Sequence, residues 1–268
     1  MRDIRVAIAI FNASVGNTRA NLDKASGCVK NAAATGAEVI CFPEMNITGY
    51  SNHPDIAHEA EPIPGPSVNK LVALSKKENM LILAGLAEKG EQGCVHAAHV
   101  AISPDGVLGI YRKLHIAPTE QAMYTAGEDI PVFEFKGMTF GIQLCYDAHF
   151  PELSTRMAMQ GAEVIFVPHA SPRGRAIDKH RSWRRHLPAR AYDNSLYVIA
   201  CNQTGDNQKG LCFPGNAVVI GPSGHILEEW TTGEEALHTF DLKADEFQRV
   251  RDNRMHFFLP NRRPDLYT

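Results

Sequence analysis

Read as a string of apolar and polar positions, the chain alternates between two kinds of segment. Short apolar runs recur at RVAIAIF, VICF, MLILAG, FGIQLC, VIFV and LYVIAC. Four of these, VICF, MLILAG, VIFV and LYVIAC, are apolar on both faces, the pattern of strands covered on both sides. Longer stretches between them return an apolar residue every three or four positions. Over 17–35, Ala20, Leu22, Ala25, Val29 and Ala32 form one stripe, and Gly36 follows where a helix C-cap needs positive φ. Similar patterning predicts helices over 67–78, 151–160 and 179–194. PDG at 104–106 and PSG at 222–224 put proline and glycine where tight turns use them.

The pattern occurs twice. GAEVICFP begins at 36 and GAEVIFVP at 161; NMLILAG at 79 resembles NSLYVIAC at 194; ISPDGVL at 102 resembles IGPSGHI at 220. The echoes keep one order, and RVAIAIF has FGIQLCY as its counterpart. Internal duplication explains this. Two copies of a strand–helix unit, each with one helix-covered sheet, predict two sheets packed face to face with helices outside. The expected fold is α/β, a four-layer α-β-β-α sandwich with pseudo-two-fold duplication. No Gly/Ser linker or charge block interrupts the chain, which reads as one domain over 1–268. Its halves are about 1–135 and 136–255, followed by an extended C-terminal tail over 256–268 lying on a neighbour.

Composition narrows the partners. The chain is 44% hydrophobic and 21% charged, values of a folded globular protein. A net charge of -3, from 27 basic and 30 acidic residues, argues against nucleic acid or an anionic membrane. No apolar run reaches the ~20 residues that span a bilayer, and the first strand has no secretory cleavage site. The expected location is therefore cytoplasmic. The six cysteines include no CxxC pair, so neither a zinc site nor a disulfide framework is expected, and no cofactor is called for.

Candidate chemistry collects where apolar strands end, as it does in open α/β sheets. Glu44 follows VICF and Pro43, where desolvation would raise its pKa toward that of a general base. Cys145 stands between GIQL and a helix opened by Pro151 and Glu152, on a strand-to-helix turn that suits a nucleophile. Lys113, after GVLGIY, could stabilise a thiolate or an oxyanion. Singly, each has a plainer reading: a surface carboxylate, a core cysteine, a solvated basic residue. His169 occupies the place in the second copy that Glu44 holds in the first. It is either a lining residue of the same mouth or a histidine bonded to its own loop.

Together, PEMNITGY, YRKLHI followed by Glu120, and GIQLCYDAHFPEL resemble three signatures of the nitrilase superfamily of carbon–nitrogen hydrolases. RHLPARAYDNSLYVIACNQTG, GNAVVIGPSGHIL and RRPDLY are similar to its amidase and carbamoylase branches, so the resemblance runs from the first strand to the last residues. It implies an α-β-β-α sandwich, homodimers or larger assemblies, and a catalytic set of Glu44, Lys113 and Cys145 with Glu120 beside them. In that scheme Glu44 takes the proton of Cys145, and Lys113 with the backbone N–H of Tyr146 holds the oxyanion. A cysteinyl acyl-enzyme forms and is hydrolysed. Tyr50, Tyr146, His169 and Arg173 are the candidate substrate contacts. Many relatives have arginine where His149 stands and serine where Asn216 stands, which bears on substrate preference rather than on reaction type.

The implied substrate is a small amide or N-carbamoyl compound. An inward-facing Arg173, Arg175 or Lys179 would favour one carrying a carboxylate. The rival readings are a true nitrilase, a non-catalytic binding protein on the same fold, and a papain-like hydrolase pairing Cys145 with a histidine such as His149.

Overall fold

In the computed structural model, which describes residues 1–172 and 174–266, the duplicated pattern builds two six-stranded sheets. The chain runs β1 (Ile4–Ile10), α1 (Thr18–Ala34), β2 (Val39–Cys41), the single turn α2 (Ile56–Glu59), α3 (Pro66–Glu78), β3 (Leu81–Lys89), β4 (Val95–Ser103) and β5 (Gly106–Arg112). It continues through β6 (Val132–Phe135), β7 (Met138–Ile142), α4 (Pro151–Met159), β8 (Val164–His169), α5 (Ala176–Trp183), α6 (Leu187–Asn194) and β9 (Tyr197–Asn202). A small hairpin of β10 (Thr204–Asp206) and β11 (Cys212–Pro214) precedes β12 (Ala217–Ile220), β13 (Ile226–Trp230), β14 (Ala236–Leu242) and α7 (Ala244–Asp252).

The two sheets are ordered β14-β1-β2-β3-β4-β5 and β13-β12-β9-β8-β7-β6. Read from opposite edges they match strand for strand. β1, β2 and β3 are parallel, as are β7, β8 and β9. Two antiparallel strands extend each set, and an antiparallel strand, β14 or β6, closes its other side. The repeated GAEVI segments are thus β2 and β8, and the Pro-x-Gly turns join β4 to β5 and β12 to β13. The duplication legible in the sequence is an architectural one.

Alternation along each strand sorts its side chains between two layers. Val6, Ile8, Cys41 and Leu83 share one buried cluster with Phe140, Phe166 and Ile199 of the other sheet. Their neighbours Ala7, Ala9, Ile40 and Ile82 join a second cluster with Leu22, Val29 and Leu71 of α1 and α3. Both faces of the central strands are therefore occupied, which is why VICF and LYVIAC carry no polar position. The result is the expected α-β-β-α sandwich. At one end the sheets are tied directly, Phe11 bridging to Gln203.

Two local expectations are corrected. The helix predicted over 179–194 is two helices, α5 and α6, broken at 184–186. Pro188 lies in the first turn of α6. It lacks an N–H, and its ring clashes with the preceding turn, so one helix cannot run through it. The tail from 256 is not extended over its described part: it forms 3-10 turns at Leu259–Asn261 and Pro264–Leu266. It folds onto its own chain, with Phe258 edge-on to Tyr192 and Arg262 reaching Met159. Prolines 260 and 264 preset φ for such turns. Among the described residues no helix is long and apolar enough to cross a membrane.

Candidate active site

Glu44 leaves β2 on a tight loop that settles onto β3. Met45 takes a positive φ of 56°, and Gly85 of β3 lies directly below: a Cβ there would stand 2.5 Å from Met45 N. The missing side chain lets Asn46 Oδ1 accept from Gly85 N at 2.8 Å. Both halves of the chain then grip Glu44. Its carboxylate accepts from Ala170 N at 3.0 Å, just after β8, and its backbone carbonyl accepts from Gln203 Nε2 at 2.7 Å, just after β9.

Lys113, one residue beyond β5, is wholly buried between two carboxylates. Its Nζ donates to Glu44 Oε1 at 3.0 Å and to Glu120 Oε2 at 2.8 Å. Glu120 also accepts from Tyr50 Oη at 2.6 Å and from Ala117 N at 3.2 Å. A buried charge survives only when paired and hydrogen-bonded, and each member here is. Burial pushes Glu44 up to about 7, with Lys113 opposing that rise and Glu120 adding to it. Burial also works against the charge of Lys113, but Glu44, Cys145 and Glu120 outweigh it and hold the ammonium above its ordinary range.

Cys145 sits where β7 gives way to a 3-10 turn, Cys145–His149, and its φ of 47° is unusual for a residue with a Cβ. Asp147, fully buried, holds that turn. Its Oδ2 accepts from Tyr111 Oη at 2.7 Å and Leu144 N at 3.1 Å, and its Oδ1 from His115 N at 2.8 Å. Tyr111 and His115 flank Lys113 in sequence, so one carboxylate fixes the cysteine turn to the strand end that carries the lysine. Burial and the nearby Glu44 push the Cys145 thiol up to about 12, only partly offset by Lys113 and Lys179. It therefore keeps its proton at rest.

These groups meet at a cavity of about 660 Å³. Tyr50, Glu120, Cys145, Tyr146 and His169 all line it, while Glu44 and Lys113 are buried without solvent exposure. His169 lines the cavity from the end of β8: Nδ1 lies 2.8 Å from Val167 O of the same strand, and its ring packs on Trp183 at 4.5 Å. Burial, then the charge of Lys179, holds it far below the usual histidine range, so it is neutral. Of the three basic candidates, Arg175 turns outward and pairs with Asp178 at 2.9 Å. Lys179 lines the cavity, and Arg173 lies outside the described residues. His149 also lines the cavity, against the rings of Tyr146 and His186. Among the described residues no group of three or more His, Cys, Asp or Glu side chains is placed to hold a metal ion.

Reasoning from the sequence missed Asp147, Gln203 and Gly85. Asp147 had a faint signal, an acidic residue two places after the cysteine. Gln203 and Gly85 act through partners more than thirty-five positions away, and nothing local marks them.

Residues 5–252 match the carbon–nitrogen hydrolase family model. The chain is 29% identical over 249 residues to an (R)-stereoselective amidase of Pseudomonas sp., covering 92% of this chain and 87% of that protein. It is 30% identical over 269 residues to the N-carbamoylputrescine amidase of Arabidopsis thaliana, covering 92% and 88%. Its fold superposes on an amidase from Nesterenkonia sp. AN1 with a TM-score of 0.83, at 25% identity over 98% of this chain and 95% of that one. That structure is of a variant with covalent addition of the acetamide moiety of fluoroacetamide at the active-site cysteine.

Proposed function

Because the chain belongs to the carbon–nitrogen hydrolase family, we propose that it hydrolyses small amides or N-carbamoyl compounds through an acyl-enzyme formed on Cys145. The observation that carries this reading is the buried Glu44–Lys113–Glu120 array, tied through Asp147 to the cysteine turn at the cavity wall. The amidase whose active-site cysteine carries the covalently added acetamide moiety of fluoroacetamide supports the choice of nucleophile.

In the proposed cycle the neutral thiol meets the substrate carbonyl. Glu44 accepts the thiol proton as sulfur attacks carbon, so no free thiolate has to persist in a site that disfavours it. The carbonyl oxygen becomes an oxyanion between the Lys113 ammonium and the backbone N–H of Tyr146. Glu44 returns the proton to the leaving nitrogen, because an amide ion is too basic to depart alone. The C–N bond breaks, ammonia or an amine leaves, and a thioester remains on Cys145. Water, losing a proton to Glu44, attacks the thioester; the acid departs and the thiol is restored. Glu120 keeps the Lys113 ammonium in place, itself fixed by Tyr50 and Ala117 N. Tyr50, Tyr146 and His169 form substrate-contacting walls.

Ammonia release from butyramide and from n-propylurea tests this. Turnover by the wild type and none by Cys145→Ala is the expected result; equal turnover by both proteins would remove Cys145 from the mechanism. The same reading takes 1–268 as one domain of a cytoplasmic homodimer or larger homo-oligomer. Light scattering that returns a single-chain mass would remove the dimer.

A further inference from the structure

The hairpin that joins β3 to β4 carries a thiol and an imidazole that the hydrolytic cycle does not use. Cys94 stands one residue before β4 and His96 is the strand's second residue, so period-two alternation sets both side chains on one face. The turn closes on backbone bonds, Gly90 N donating to Cys94 O at 2.9 Å and Cys94 N to Glu91 O at 3.1 Å. Gly90 leaves the room that the pair fills: a Cβ there would stand 2.5 Å from Cys94 Sγ and 3.0 Å from His96 Nε2. Cys94 Sγ lies 3.5 Å from that Nε2, and His96 Nδ1 lies 2.8 Å from Thr125 O. A carbonyl only accepts, so Nδ1 holds the ring hydrogen of the neutral imidazole and Nε2 is left to accept from the thiol. A cysteine beside its base, with the base oriented by a third group, is the arrangement of an activated nucleophile.

The pair opens on a cavity of its own, about 570 Å³, which shares no lining residue with the catalytic one. Arg112 also lines it, fixed by Glu88 through two bonds, Nε and Nη2 donating at 2.5 and 2.6 Å. Glu88 has the largest influence on this guanidinium, but Asp129 and Cys94 are close enough to act on it too. A thiolate formed on Cys94 therefore has a fixed cation nearby. Glu88 and Arg112 cancel, and the charge that remains is mostly negative: Glu91, Glu128 and Asp129 line the cavity against the ammonium of Lys89. Such a cleft concentrates cations, and the group waiting inside it is a nucleophilic sulfur.

We propose that Cys94, with His96 as its base, is a modification site that takes up small cationic disulfides by thiol–disulfide exchange. His96 Nε2 receives the thiol proton as the Cys94 sulfur attacks one sulfur of the incoming disulfide. A mixed S–S bond forms on Cys94 while the ligand's own S–S bond breaks. The departing half takes the electron pair of that bond and the proton from His96, and leaves as a thiol. The incoming disulfide is itself the oxidant, so no other is consumed. The exchange uses none of Glu44, Lys113 and Cys145 and stands apart from the hydrolase reading.

The experiment uses the full chain carrying Cys145→Ala, which removes the other nucleophile, pulsed at neutral pH with cystamine or with the anionic 3,3′-dithiodipropionate. Peptide mass spectrometry reads the labelling rate at each cysteine, divided by the rate of the same disulfide with N-acetylcysteine amide. Cystamine should label the half-buried Cys94 at least about 10-fold faster than the exposed Cys212, since reactivity follows the thiolate rather than exposure. At Cys94 the normalised rate for cystamine should exceed that for the anionic reagent by about 10-fold, the low end of what a cleft of one sign supplies. His96→Gln should slow Cys94 by on the order of 100-fold, the low end of a positioned base's contribution, and leave the Cys212 rate as it was. Glu128→Gln combined with Asp129→Asn should shrink the preference for cystamine. Labelling of Cys94 no faster than that of Cys212, a Cys94 rate untouched in His96→Gln, or equal normalised rates for the two reagents overturns the proposal.

Discussion

Lys113 Nζ lies 3.0 Å from Glu44 Oε1, across 69 residues of chain, with both side chains shut away from solvent. The pair, with Glu120 on the other side of the ammonium, is both a structural and a chemical unit. Lys113→Met would leave two carboxylates buried without their cation. Removing one partner of a buried ion pair costs roughly 3–5 kcal/mol. Thermal unfolding should therefore show a large loss of stability alongside loss of ammonia release. A Lys113→Met protein as stable and as active as the wild type would show that the array matters to neither.

The cysteines separate nucleophile from filler. Cys145→Ser should fold normally and lose nearly all turnover, because in the proposed cycle the acyl-enzyme forms on the thiol. Cys41 is fully buried and Cys28 half-buried on α1, both away from the cavity lining. Cys28→Ala and Cys41→Ala should keep activity, at a stability cost of about 1 kcal/mol. Steady-state assays with circular dichroism of each variant make the comparison. Full activity in Cys145→Ser would contradict the assignment.

Acidity should switch the reaction off through Glu44. A base works only when ionised, and burial pushes this carboxyl up to about 7. As pH falls through that value Glu44 gains a proton and can no longer take one from the thiol, so kcat/KM should fall. As pH rises it should climb to a plateau, since the Cys145 thiol, held up to about 12, stays protonated well into the alkaline range. A flat profile between pH 5 and 8 would exclude Glu44 as the base.

Gly85 should be as intolerant as a catalytic residue although it touches no substrate. A methyl group there would press on Met45 N at 2.5 Å and on His99 Nδ1 at 2.8 Å. The loop carrying Glu44 would have to lift, shifting the base relative to sulfur. Misplacement by an ångström can cost ~100-fold. Gly85→Ala should lose about that much kcat while the far-UV spectrum is retained; wild-type kcat would show that the loop has slack.

The layered fold was readable because burial on both faces leaves its mark on each strand separately. VICF and VIFV are apolar throughout, and their repetition marks β2 and β8 as equivalent positions. Glu44, Lys113 and Cys145 were legible as strand-end residues and through the motifs around them. Their convergence was not, because it depends on contacts such as Ala170 N to Glu44 and Asp147 to Tyr111 that join distant segments. The break between α5 and α6 was signalled by Pro188 and overridden by a periodic pattern that continues across it. The inward face of α5 became visible only once α5 was placed against the cavity, since Lys179 reads locally as one more charge in a basic run.

The most direct measurement is mass spectrometry of the enzyme quenched during turnover of butyramide. The account predicts a butyryl mass increase on the peptide that contains Cys145, lost on treatment with hydroxylamine, as a thioester would be, and absent from Cys145→Ala. Sustained hydrolysis with the acyl group on another residue, or undiminished hydrolysis by Cys145→Ala, would contradict it.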